Sequence, residues 1–336
     1  MPALPGVAAP APPVVATVWR DGVVESVHRG CVVLASADGA VVGAMGDPER
    51  PTYVRSAAKP LQALAVLEVL EVAGWDTAEL DSRAVAIACA SHVGEDLQQI
   101  EAARLLALAD LDESALRCPA AVPAAAAPVR PDRLAHSCSG KHGAFLLATV
   151  AAGESPGRYL EPGARVQQQV QATLAQTTGC EPSGPGVDGC GAPAWVLPLR
   201  GMAVAFARLA AAGGDVAGDR RGFARVGAAM RRHPLLVGGV GCDDSELMLG
   251  DPTVVAKRGA EAVFAAGWRD PVRGPLGVAV KVEDGGDRAA GPVAAAVLAA
   301  GGVTVPERVL RPAVLGGGVP HGRLEPVADL GALLAG

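Results

Sequence analysis

Apolar positions along this chain change their spacing twice. Between residues 14 and 47 the β-branched runs "VVATVWR", "VVESVHR" and "CVVLAS" are separated by "DG", "RG" and "ADG". Short runs broken by such pairs predict a meander of antiparallel strands. From Ser56 the apolar residues recur at three and four, the period of a helix that buries one face. The stretch "SAAKPLQALAVLEVLEVAG" predicts a helix with Ser56 as N-cap and Gly74 as its stop. Helical spacing continues in "GEDLQQIEAARLLALAD", "GKHGAFLLATVAAG", "ARVQQQVQATLAQTTG", "GMAVAFARLAAAGG" and "DRRGFARVGAAMRRH". Strand patterning returns in "TVVAKRGAEAVFAAG" and "PLGVAVKVEDG", and "AGPVAAAVLAAGG" reads as a late helix.

Terminal strands thus flank a long helical middle. The economical packing is an α+β domain covering residues 1–336, with one antiparallel sheet built from both chain ends. Residues 14–55 plus 250–336 would form the sheet-containing lobe, and 56–249 a mainly helical lobe. The Pro/Ala stretch 119–131 reads as a surface loop, and no internal repeat is visible.

Composition narrows the partners. Half of the residues (50%) are hydrophobic and 3% aromatic, so the core is built mainly of Ala, Val and Leu. A net charge of −6 lacks the basic excess that holds nucleic acid or anionic membranes. The opening "MPALPGVAAPAPP" has no basic segment followed by an apolar run and a cleavage site, so a loose arm is expected. No apolar stretch of about 18 residues is present to span a membrane, and a cytoplasmic location is expected.

Seven cysteines (Cys31, Cys89, Cys118, Cys138, Cys180, Cys190 and Cys242) are scattered and form no C-x-x-C pair. Free thiols are expected, with Cys31 and Cys89 in the core. The lysines are more informative. Of 29 basic residues only Lys59, Lys141, Lys257 and Lys281 are lysine, and asparagine is absent. Where arginine has displaced most lysines, a surviving lysine is a candidate for work that needs a removable proton, which arginine does not give up.

The stretch "HSCSGKHG", residues 136–143, superficially suggests a phosphate loop. That motif needs glycine at 135 and a hydroxyl at 142, and the chain has Ala135 and His142. No G-x-S-x-G or H-E-x-x-H occurs, and a Cys-His-Asn arrangement is impossible without asparagine. What remains is S-x-x-K in "SAAK", which puts Ser56 and Lys59 on one face of a first helical turn. A serine hydroxyl attacks once a base takes its proton, and burial prepares a lysine by disfavouring its charged form. The segment "CASHVGE" adds Ser91 and His92, and "AKRGAE" adds Lys257 on a predicted strand before Gly259. A helix-start serine, a second serine and a strand lysine before glycine are the toolkit of penicillin-recognising serine hydrolases. The plainer alternatives are a solvated S-x-x-K, a helix-ending Ser91 and a structural His92.

Downstream, "DGCGAP" presents Cys190 on a glycine-rich turn beside Asp188. Cys138 and Cys190, with Lys141 on the same helical turn as Cys138, could converge on zinc and leave an open position. Deprotonating a lysine at neutral pH costs roughly 4–5 kcal/mol, against zinc-binding free energies of order 10 kcal/mol. The alternative is a Lys141 ammonium paired with Asp188 and two packed cysteines.

Taken together, "RSAAKPLQ", "ACASHVGE", "HSCSGKHGAF", "DGCGAP" and "AKRGAE" resemble the zinc-containing L-asparaginases of the Rhizobium etli type, the asparaginase II family, in the family's order and over most of the chain. The resemblance implies an αβα fold similar to serine β-lactamases and glutaminases, hydrolysis of L-asparagine to L-aspartate and ammonia, and a homodimer. It implies two Ser-Lys pairs, Ser56 with Lys59 and Ser91 with Lys257, and zinc held by Cys138, Lys141 and Cys190. It also places Arg55, His92 and Asp188 near the substrate. Relatives commonly read "HNCSGKH" where this chain has Ser137, and carry a histidine after "SHxGE" where it reads "DLQQ". Other readings are a glutaminase or β-lactam hydrolase on the same fold, and a silent zinc- or amino-acid-binding protein.

Overall fold

The computed structural model describes residues 11–123, 130–211 and 221–334. Most of the opening arm and the centre of the 119–131 stretch lie outside them. The strands are β1 (Val14–Arg20), β2 (Val23–Ser36), β3 (Val41–Met45), β4 (Pro51–Tyr53), β5 (Ser183–Val187), β6 (Pro193–Pro198), β7 (Val255–Gly259), β8 (Val263–Asp270), β9 (Gly274–Val282), β10 (Ala313–Gly316) and β11 (Val319–Pro326). The helices are α1 (Lys59–Val72), α2 (Ser82–Ala88), α3 (Asp96–Ala107), α4 (Ser139–Ala151), α5 (Arg165–Thr178), α6 (Leu199–Ala211), α7 (Arg221–Arg232), α8 (Pro234–Val237), α9 (Asp243–Gly250), α10 (Ala290–Ala300) and α11 (Glu307–Leu310).

Strands from the two chain ends interleave in one antiparallel sheet, ordered β10-β11-β1-β2-β9-β8-β7, with β3 also paired to β2. This is the α+β arrangement that the terminal strand patterns predict. The "RG" pair does not turn the chain, contrary to expectation. Residues 23–36 form one long strand whose first half pairs with β1 and whose second half pairs with β9. Gly30 sits where the partner changes, and a Cβ there would run into the Lys281 carbonyl. The glycine serves close strand approach.

The helices form a layer on each face. Gly267 of β8 and its cross-strand partner Gly277 of β9 face α6 so closely that a Cβ at either would meet the Phe206 or Ala203 carbonyl. Successive strand residues point to opposite faces, and Trp268 accordingly packs beside Gly301, at the end of α10. The sheet is therefore sandwiched between α6 and α10.

The helix expected from Ser56 begins later. Residues Arg55–Ala58 form a 3-10 turn, and α1 starts at Lys59. Pro60 has no N–H to give the Ser56 carbonyl an α-type bond, so the Lys59 N–H closes a tighter turn on that carbonyl instead. Ser56 is consequently not an N-cap. At the far end the expected stop holds, with Gly74 at φ 75°. Gly74 N–H bonds to the Glu71 carbonyl and Trp75 N–H to the Leu70 carbonyl, a Schellman closure.

Strand β4, before the helical region, joins β6 and β5 inside it in a small three-stranded sheet that the sequence pattern does not announce. No helix among the described residues is long and apolar enough to cross a membrane.

The glycine pair under α6 is a stringent packing constraint. Gly277→Ala should cost about 1–3 kcal/mol in urea unfolding, the range for overpacked cores, with Gly163→Ala in an open turn as the control for a residue that meets nothing. Equal stability of wild type and Gly277→Ala would contradict the close approach.

Candidate active site

Edge strand β7 carries the first part of the site. A Cβ at Gly259 would lie 3.0 Å from Ala57 N and 3.3 Å from the Val54 carbonyl, so only glycine lets the strand press on the turn that holds Ser56. The residue before that serine, Arg55, has φ 46°. A left-handed conformation costs a non-glycine residue about 1–2 kcal/mol, and such strain persists only where the surroundings enforce it. Arg55 is held by Asp188, with Nε and a terminal nitrogen 3.0 and 2.9 Å from Oδ1. The two residues expected to meet substrate thus engage each other. The Ser56 hydroxyl makes no hydrogen bond among the described residues and lines a cavity of about 440 Å³, together with Ser91, Asp243, Arg258, Phe264 and Gly291.

Lys59 is fully buried one turn further on. Its ammonium donates to the carbonyls of Ala90 and Ser137 and lies 3.0 Å from Ser91 Oγ. Burial pulls its pKa down, opposed by Cys138 and reinforced by the Lys141 charge. With two N–H groups on carbonyls, the third position faces Ser91. A charged Lys59 donates to that hydroxyl, and a neutral one can accept its proton. Position 137 serves through its backbone carbonyl, so serine in place of asparagine leaves this contact intact.

Lys257, on β7, is also fully buried. It donates to Asp244 Oδ2 at 2.9 Å and to the Arg258 carbonyl at 3.0 Å. Burial lowers its pKa to about 8 against the pull of Asp244, with Arg258 and Lys59 adding to the fall. Burial alone would raise Asp244, but Lys257 and Arg258 outweigh it and hold the carboxyl at about 2. The Arg258 guanidinium spans from Asp244 Oδ1, at 2.8 Å, to the Ser91 carbonyl, at 2.6 Å. The contacts therefore run Lys59 to Ser91 and Lys257 to Asp244, and differ from the pairing of Ser56 with Lys59 and Ser91 with Lys257. Asp244 is not among the residues that the sequence motifs single out.

His92 has no free nitrogen for a ligand. Its Nδ1 accepts from Gly94 N–H at 3.1 Å, so Nε2–H donates to Ser139 Oγ at 2.9 Å. Burial, with help from Lys59, lowers its pKa to about 3 and keeps it neutral. It fastens the loop after Ser91 to the start of α4.

Cys138 precedes α4, and Lys141 stands in its first turn. Gly140 lets α4 press on α2, because a Cβ there would run into the Ile87 carbonyl. Cys190 arrives from a turn closed by the Gly191 N–H on the Asp188 carbonyl at 2.8 Å. Lys141 Nζ lies 3.1 Å from Cys190 Sγ, and all three side chains are buried. A hydrogen bond from Cys190 lowers Cys138 well below an ordinary thiol, while that bond and burial raise Cys190. Burial works against the Lys141 ammonium, but Cys190, Cys138 and Asp188 outweigh it and raise its pKa. Among the described residues no three His, Cys, Asp or Glu side chains converge as metal donors. Two sulfurs and an amine do converge here, a donor set that suits zinc once their protons leave.

The L-asparaginase II family model matches residues 16–326. No curated protein sequence matches the chain.

The buried cation pair makes Asp244 the residue whose loss should be felt most. Asp244→Asn should destabilise the protein by about 3–5 kcal/mol, since removing one partner strands buried positive charge. Adding Lys257→Met should recover part of that loss. Urea unfolding of both variants checks this, and a double variant no more stable than the single one would contradict it.

Proposed function

The chain belongs to the L-asparaginase II family, and from that premise we propose that it hydrolyses L-asparagine to L-aspartate and ammonia through a serine ester. The observation that carries the reading is the buried Lys59 in contact with Ser91, next to a cavity that Ser56 also lines.

Ser56 is the nucleophile in this account. Its hydroxyl is unpartnered and follows a strained residue, whereas the Ser91 hydroxyl is held by Lys59. Ser56 Oγ attacks the side-chain amide carbon, and its proton passes through Ser91 to neutral Lys59. The C–N bond then breaks, and the departing nitrogen takes that proton back along the same path to leave as ammonia. Water attacks the β-aspartyl ester, giving a proton to Lys59 and restoring the Ser56 hydroxyl. Lys257 keeps the Asp244–Arg258 network in place around Ser91. The Lys141 cation opposes charge on Lys59, which favours the neutral base.

Cys138, Lys141 and Cys190 would hold a zinc ion. Bound there, it would supply a fixed positive centre that helps to position the substrate. Arg55 and Asp188 border that centre from the Ser56 side.

Ammonia release from L-asparagine should exceed that from L-glutamine, with no turnover of a chromogenic β-lactam. Ser56→Ala and Lys59→Arg should each lower kcat by at least about a hundredfold, the lower range for losing a nucleophile or its base. A loss below about tenfold in Lys59→Arg would reduce that lysine to a positive charge. Cys138→Ala should lose zinc and raise KM more than it lowers kcat. Metal analysis of chelator-free protein decides that part: no zinc, together with an unchanged KM in the variant, would contradict the metal site.

A further inference from the structure

The cavity beside Ser56 and Ser91 contains one charged side chain with no partner. Helix α9 begins with three acidic residues: Asp244 is bound by Lys257 and Arg258, and Glu246 by Arg308. Asp243 forms no hydrogen bond or ion pair through its carboxylate among the described residues, and it lines the cavity. It is pressed against the first turn of α10, where a Cβ at Gly291 would run into its Oδ2. A carboxylate that merely complemented the helix dipole would do so equally well in water. Here burial, with the charge of Asp244, pushes its pKa up to about 6, so the folded protein holds the ionised form at a cost. Across the same cavity lies Arg258, held in place by Asp244 and the Ser91 carbonyl. A carboxylate and a guanidinium that do not pair with each other, beside two serines, match the head group of a free α-amino acid.

We infer that Asp243 sets specificity for the substrate's α-ammonium group, with Arg258 facing its α-carboxylate, a deepening of the amidohydrolase reading that rests on it. The site would thereby separate free asparagine from amides that lack an amino group beside the carboxylate, including the side chains of intact proteins.

The test compares L-asparagine with succinamate, the same amide without the α-amino group, in wild type, Asp243→Asn and Gly291→Ala. The second variant moves the carboxylate without removing it, and guards against a folding defect in the first. Wild type should prefer asparagine in kcat/KM by about thirty- to a hundredfold, inside the span of roughly ten- to 150-fold for a hydrogen bond to a charged group. Both variants should bring that ratio below about tenfold. In parallel, thermal stabilisation by L-aspartate relative to succinate should be larger in wild type than in either variant. Unchanged ratios in both variants would overturn the inference. Failure of wild type to release ammonia from asparagine would overturn the hydrolase reading instead. The comparison of aspartate with succinate would then still decide the role of Asp243.

Discussion

Two ammonium groups, Lys59 and Lys257, are buried in the seam where the edge of the sheet meets the helical layer. Desolvating one such cation costs several kcal/mol unless its surroundings replace the lost hydration. The replacement differs at the two places. Lys257 receives a full counter-charge from Asp244, itself fixed by Arg258. Lys59 receives two carbonyls and a hydroxyl, with Cys138 the main source of opposing charge. Burial pulls both pKa values down, with Asp244 opposing the fall at Lys257 and Cys138 opposing it at Lys59. The helices, the loop after Cys89 and the start of α4 all supply atoms to this seam.

The same constraint accounts for lysines that persist. Arginine cannot serve at Lys59, because it would keep its proton against two carbonyls and a serine. At Lys141 it could neither lose a proton nor fit the 3.1 Å approach to Cys190 as a single donor. Lys281 belongs to a different category. It donates to the Glu261 carbonyl at the tip of the β7–β8 hairpin, where Glu261 and Ala262 have φ 60° and 54°. That contact holds the strained tip beside the cavity wall and needs a compact donor more than a removable proton.

Much of this was legible in the residues themselves. Alternation and helical spacing placed the strands at the chain ends and the helices between them, because burial against one face imposes its period on the sequence. The identities of Ser56, Ser91, the lysines and the two cysteines followed from chemistry. The connections between them did not. Spacing of three paired Ser56 with Lys59 on an assumed helical turn, but Pro60 delays the helix and Lys59 reaches the 90–91 loop instead. Asp244 meets Lys257 only because α9 packs on β7, a tertiary event that leaves no periodic trace. The "RG" pair read as a turn because glycine for φ freedom and glycine for close approach look alike in sequence.

The central claim is that Ser56 carries the acyl group while Ser91 and Lys59 carry the proton. Acid quenching during turnover of L-asparagine, followed by peptide mass spectrometry, tests it directly. The account predicts an adduct of asparagine less ammonia on the peptide containing Ser56. The same adduct on the Ser91 peptide would contradict it.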